Sequence, residues 1–233
     1  MYHSKAVFSK YGYIVFSFLV LSGCLSGQRP PVMMAPHLDK RVHQITQLPL
    51  NVDLYIEPHL RNYVQDAPIK QYEAGAQLYT FPNFVFPFGE PLSLKIEEMS
   101  KVIFKKVTLI DNLQNTAYGT NETLDGILTV GLKSSDIELY IEQSVGRAIG
   151  RHNLSIRASF LDPKLNKVWE SDIAVEGKGL DVVTSRVEQE WWMTTGPRFG
   201  PAVDDSIQKV TYELAQKITT SKEISDYIHK KKP

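Results

Sequence analysis

Cys24 is the one cysteine among 233 residues, and its thiol is the most reactive nucleophile the chain offers. Alone, it can form neither an intrachain disulfide nor a cysteine-based zinc cluster, but a thiol can be alkylated. Five histidines follow it: His37, His43, His59, His152 and His229. None stands at a helical metal-binding spacing from a second histidine or an acid, so all five are expected as solvated or hydrogen-bonded surface groups. Carboxylates are paired at Glu97-Glu98 and Asp204-Asp205. Neighbours on a helix point about 100° apart and cannot share one acid–base task. The sequence contains no nucleophile elbow, no P-loop and no paired-histidine zinc motif, and Gly146 and Gly150 do not make a dinucleotide fingerprint. The expectation is no catalytic residue, no metal and no cofactor.

The surroundings of Cys24 give its thiol a use. The chain opens Met1-Tyr2-His3-Ser4-Lys5, with Lys10 next and no acid before Cys24. An apolar run from Tyr13 to Leu21 follows, shorter than the about 20 residues that cross a bilayer. A basic start, a short apolar centre and small residues after it are the parts of a secretory signal peptide. Leu21-Ser22-Gly23-Cys24 then resembles the lipobox of bacterial lipoproteins at all four positions. The resemblance implies that residues 1–23 are removed and that Cys24 becomes a lipidated N-terminus. Its implied modification is a diacylglyceryl thioether plus an N-acyl chain such as palmitate. Stable anchoring needs more than one chain, each buried CH₂ contributing roughly 0.8 kcal/mol. Leu25 stands where aspartate retains enteric lipoproteins at the inner membrane, which implies the outer membrane and its periplasmic face. Loss of residues 1–23 removes Lys5 and Lys10, leaving 24 basic and 26 acidic residues. That balance gives no reason to expect a nucleic-acid partner.

Two aromatic segments are candidates for contact with something else. Glu190-Trp191-Trp192-Met193 precedes Gly196-Pro197-Arg198-Phe199-Gly200. Large aromatics in a loop punctuated by glycine and proline suit a partner surface or a membrane interface, so Trp191, Trp192 and Phe199 are the expected partner-binding residues. The competing role is capping of a sheet, with the indole N–H groups bonded locally. Phe81, Phe84, Phe86 and Phe88 could line a ligand groove or form a buried core edge.

The elements that must carry these residues follow from periodicity. Residues 24–48, with Pro30, Pro31 and Pro36, read as a lipidated N-terminus and tether, and residues 49–233 as one domain. Leu50 to Ile56 alternates as a strand, and Phe84-Val85-Phe86 is a short one. Pro91 opens a helix to about Lys105 along Leu92, Ile96, Met99 and Ile103. Strands follow at Val107–Ile110, Ile127–Leu132 and Ile137–Ile141, and Gly146 to Arg151 is expected as a turn. Asn153–Phe160 and Val168–Val175 form a hairpin around Asp162-Pro163, ended by Gly177 and Gly179. A second helix starts at Pro201, with Asp204 and Asp205 in its first turn and an apolar stripe through Val203, Ile207, Val210, Leu214 and Ile218. A short piece with Ile224, Tyr227 and Ile228 closes the chain. Strand, helix, hairpins, helix is an α+β order: a mostly antiparallel curved sheet with two amphipathic helices on one face.

Phe88-Gly89-Glu90-Pro91-Leu92, the helix after it, Phe104 to Asp111 and the return strand Lys167-Val168-Trp169-Glu170-Ser171 make this order similar to periplasmic transport-auxiliary and YajG-like envelope lipoproteins over roughly residues 50–220. The resemblance implies a non-enzymatic accessory or assembly factor of an envelope or transport complex. It would be held to the membrane by Cys24 and would contact a protein partner. A homo-oligomer is compatible with this reading. A lipid- or glycan-binding module is the alternative. A cell-wall hydrolase is a third, which needs two distant carboxylates facing one cleft.

Overall fold

The computed structural model describes residues 31–72, 83–113, 124–142, 146–182, 184–187 and 198–231. Residues 1–23, expected as a signal peptide, together with Cys24, Phe81, Trp191 and Trp192 lie outside the described residues. One compact unit spans Pro31–Pro233.

After a 3-10 turn at Lys40–Gln44 come β1 (Leu48–Ile56), α1 (Pro58–Arg61), β2 (Gln65–Ala67), β3 (Ile69–Tyr72) and β4 (Phe84–Phe86). Then follow α2 (Gly89–Ile103), β5 (Phe104–Ile110), β6 (Gly126–Glu142), β7 (Arg147–Leu161), β8 (Lys167–Val182), α3 (Gly200–Thr219) and α4 (Lys222–Lys231). The main sheet runs β5-β1-β6-β7-β8, with β3 beside the second half of β6. Its two long ladders, β6 with β7 and β7 with β8, are antiparallel. Along the other side β1 pairs in parallel with both β5 and β6, and β3 in parallel with β6. β2 and β4 make a separate antiparallel pair.

The α+β expectation holds. Leu50, Val52, Leu54 and Ile56 of β1 and Leu154, Ile156, Ala158 and Phe160 of β7 are buried, as period-two alternation requires. The stripes of α2 and α3 are fully buried, α2 packing on β1 and β5 and α3 on β7 and β8, with the helices in contact. Burial of such a side chain contributes roughly 1.5–3 kcal/mol relative to exposure.

The strands run longer than expected, for two physical reasons. The expected strands at residues 127–132 and 137–141 are one, because a register shift between Leu132 and Ser134 changes the inward parity from Leu128 and Val130 to Ile137, Leu139 and Ile141. Gly150, Gly177 and Gly179, expected in a turn or at a strand end, lie inside β7 and β8 instead. There the first turns of α3 press on the sheet: a Cβ on Gly177 would lie 2.1 Å from Ala202 O, and one on Gly179 2.3 Å from Ala202 N. These glycines mark close backbone approach and not chain reversal. Among the described glycines only Gly146 has the positive φ of a turn, at 59°. Because α3 starts at Gly200, Asp204 and Asp205 fall in its second turn.

Part of the segment expected as a tether packs on the domain. Val32 N donates to Val85 O at 2.8 Å, and Ala35 N donates to Asp204 Oδ1 at 3.0 Å. Leu38 and Val42 are buried, and the Arg41 guanidinium lies 3.9 Å from the centre of the Tyr212 ring. The domain therefore begins near Pro31 and not Pro49. Leu38 and Val42 are isolated anchors without a repeating period, so the prolines dominate the sequence signal.

Candidate interaction surface

The described residues of the expected groove, Phe84, Phe86 and Phe88, are core. Phe86 and Phe88 are fully buried and Phe84 nearly so. Phe88 lies 5.2 Å from Tyr63 and 4.9 Å from His152 between ring centres, both within aromatic contact range. Phe199, expected on a partner surface, is buried too: its ring meets Phe84 edge-on at 5.0 Å, just before α3 begins. Phe84, Phe86 and Phe88 thus take the buried-edge alternative and the surface expectation for Phe199 is corrected, for one reason. β4 and the entry to α3 are adjacent, so these aromatics seal each other from water.

The histidines divide. His37, His43, His59 and His229 are exposed, as expected. His152 is fully buried, contrary to expectation. Its position was legible, since residue 152 shares parity with Leu154 and Ile156. Ser206 Oγ donates to Val203 O at 2.7 Å and so accepts from His152 Nδ1 at 2.6 Å. Nε2 lies 2.9 Å from Ser135 Oγ, which donates to Gln65 Oε1. Burial pushes the imidazole down to about 4, so it is neutral near neutral pH. The Ser135–His152 distance would suit a nucleophile and its base. However, the partner of Nδ1 is a hydroxyl and not a carboxylate, and burial disfavours the imidazolium that base catalysis requires. The arrangement instead ties β6, β7 and α3 together beneath Phe88.

One end of the sheet collects the surface features. β3 reaches it at Tyr72, which pairs with Ile141, and β6 ends there at Glu142. β7 starts there at Arg147, opposite Val182 at the end of β8. Residue 33 lies there too: a Cβ on Gly200 would come 2.4 Å from Met33 O. Tyr72, before segment 73–82, and Arg198, after segment 188–197, are at this end; those segments hold Phe81 and Trp191 with Trp192 in sequence. Arg198 N donates to Asp181 Oδ2 at 2.5 Å, while Phe84 packs on Phe199.

Apolar side chains stand exposed at this end. Met33 is 93% exposed, Leu180 55% and Val182 39%. On the sheet face opposite the helices, register aligns Tyr140, Ile149 and Leu180 in one cross-strand row. Exposed Arg147 and Arg151 flank that row, and the Arg151 guanidinium lies 5.8 Å from the Tyr140 ring centre. Sequence reasoning missed Leu180 and Val182 because Gly177 and Gly179 suggested that the strand had ended. Among the described residues, no group of three or more histidine, cysteine or acidic side chains is placed to hold a metal ion. No described helix is long and apolar enough to cross a membrane.

No family model matches the chain, and no curated protein matches it. Solved structures do. A Xanthomonas campestris protein assigned to the family DUF330 is 12% identical, with a TM-score of 0.44 over 82% of this chain and 94% of that one. A neuraminyllactose-binding hemagglutinin homolog from Helicobacter pylori is 11% identical, with a TM-score of 0.42 over 86% of this chain and 97% of that one. A minor lipoprotein from Acinetobacter baumannii is 7% identical, with a TM-score of 0.34 over 74% of this chain and 92% of that one.

Proposed function

We propose that this chain is a non-enzymatic lipoprotein of the bacterial envelope, held by lipid on Cys24 at the periplasmic face of the outer membrane. It acts as an accessory or assembly factor of an envelope or transport complex. The observation that carries the reading is Leu21-Ser22-Gly23-Cys24, placed directly after a basic start and a short apolar run. Support for a binding role comes from the sheet end. Exposed Met33, Leu180 and Val182 stand at the end where Arg198, the described residue after the segment containing Trp191 and Trp192, bonds Asp181. Burial of Phe84, Phe86 and Phe88 withdraws the main support for a ligand groove.

The test is crosslinking in cells, then purification of the tagged full-length protein from its own envelope. A protein partner crosslinked through residues 188–197, and lost on Trp191→Ala with Trp192→Ala, is the expected result. Recovery of monomer alone, with the double variant indistinguishable from the parent, overturns the accessory role.

A further inference from the structure

The apolar end of the sheet is the end from which the chain leaves the domain toward Cys24. Residues 31–33 are fixed there by the Val32–Val85 hydrogen bond and by the contact of Met33 with Gly200. Six residues lie between Cys24 and Pro31, and the seven steps from one to the other span at most about 25 Å. A lipid on Cys24 therefore limits how far this end can stand from the bilayer surface, whatever path residues 24–30 take.

The exposed side chains there have the composition of an interfacial surface. Leu180 and Val182 project from the end of β8, and Met33 stands exposed beside the start of α3. Tyr140 and Ile149 continue the Leu180 row, with Arg147 and Arg151 on either side. Aliphatic side chains that enter the headgroup region, tyrosine at its level and arginine beside phosphates match the chemistry of a lipid–water interface. Acids are present as well: Glu142 and Glu138 stand opposite Arg147 and Arg151 in the β6–β7 ladder, Tyr140 Oη donates to Glu138 at 2.8 Å, Glu176 is paired with Lys178, and Asp181 is buried and paired with Arg198. Toward the opposite end of the sheet, Leu165 is exposed in the Asp162–Lys167 turn and Leu109 of β5 is exposed at the level of Leu128 and Phe160. A covalent anchor makes this contact intramolecular, so a weak interaction is enough to orient the domain.

We propose that the end bearing Met33, Leu180 and Val182 rests on a phospholipid surface, so that the anchored domain stands with its Asp162–Lys167 turn pointing away from the membrane. This rests on the reading of Cys24 as the anchor. Two single-cysteine reporters test it in the mature acylated protein, reconstituted in vesicles of phosphatidylethanolamine and phosphatidylglycerol. Leu180→Cys and Leu165→Cys each carry an environment-sensitive fluorophore, and Cys24 is blocked by its lipid. Brominated lipids are expected to quench the label at 180 several-fold more than the label at 165. Adding Val182→Asp and Met33→Asp to the Leu180→Cys protein should bring quenching at 180 down to the level at 165, with circular dichroism unchanged. Equal quenching at both sites, or stronger quenching at 165, overturns the proposal. Protection of the 180 label only when envelope protein is added, without quenching by lipid, assigns the surface to a protein partner and also overturns it. Failure of the anchor is read separately: Cys24→Ala protein that floats with vesicles as well as the parent contradicts lipidation, while the quenching ratio on vesicle-bound protein still reports which end faces lipid.

Discussion

His152 Nδ1 lies 2.6 Å from Ser206 Oγ, and this bond joins the middle of β7 to the second turn of α3. It is a polar fastening inside an apolar layer. The imidazole faces Ser135, Ser206, Phe88 and, through Ser135, Gln65, none of which carries charge. Protonation of His152 within the fold therefore meets no compensating carboxylate among these contacts.

Acid sensitivity follows. The folded state holds His152 near 4, below its ordinary value of 6.5. A histidine kept neutral contributes stability that is fully present above the unfolded pKa and is lost as pH falls toward the folded one. The window is therefore between about 6.5 and about 4, and the total is about 3 kcal/mol. Urea unfolding of the parent and of His152→Gln across this window should show a smaller pH dependence in the variant, with lower stability near neutral pH. Equal pH slopes would show that His152 does not contribute to acid sensitivity.

Gly177 is a packing requirement. A Cβ there would lie 2.1 Å from Ala202 O and 2.6 Å from Ser206 N, both backbone atoms of α3. Gly177→Ala must displace the helix or the strand, at a cost of about 1–3 kcal/mol or more. Thermal unfolding should show a clear fall in Tm. An unchanged Tm would mean that α3 can shift freely on the sheet.

The β8 edge is covered by side chains of α3. Lys178 N donates to Asp205 Oδ2 at 2.8 Å, Lys209 Nζ to Glu176 O at 2.9 Å and Lys217 Nζ to Asp172 O at 3.1 Å. Backbone groups of a long edge strand would otherwise be open to pairing with another chain. The triple variant Asp205→Asn, Lys209→Gln, Lys217→Gln is expected to associate with rising concentration in sedimentation velocity, where the parent does not gain mass. Identical sedimentation of parent and variant would show that the edge is protected by other means.

The parts of this fold that were legible are those set by local periodicity. The alternation of Leu50 to Ile56 and the stripe from Val203 to Ile218 each bury one face, and both resolve as read. What was not legible depends on contacts across the layers. Gly177 and Gly179 look like strand terminators until α3 is seen to lie against them. Phe199 looks like a surface aromatic until Phe84 is found beside it. Leu38 and Val42 have no period at all, and only the groove that receives them distinguishes them from a tether. Among the candidate site residues the same division applies. His152 could have been placed inward by parity, whereas its serines come from β6 and α3, 17 and 54 residues away in sequence.

The central claim rests on Cys24, and mass spectrometry of the N-terminal peptide tests it most directly. The protein, purified with detergent from its native envelope, is predicted to begin at residue 24, with a diacylglyceryl thioether and an N-acyl chain on that cysteine. A chain that retains residues 1–23, or one that begins elsewhere with an unmodified Cys24 thiol, would contradict the account.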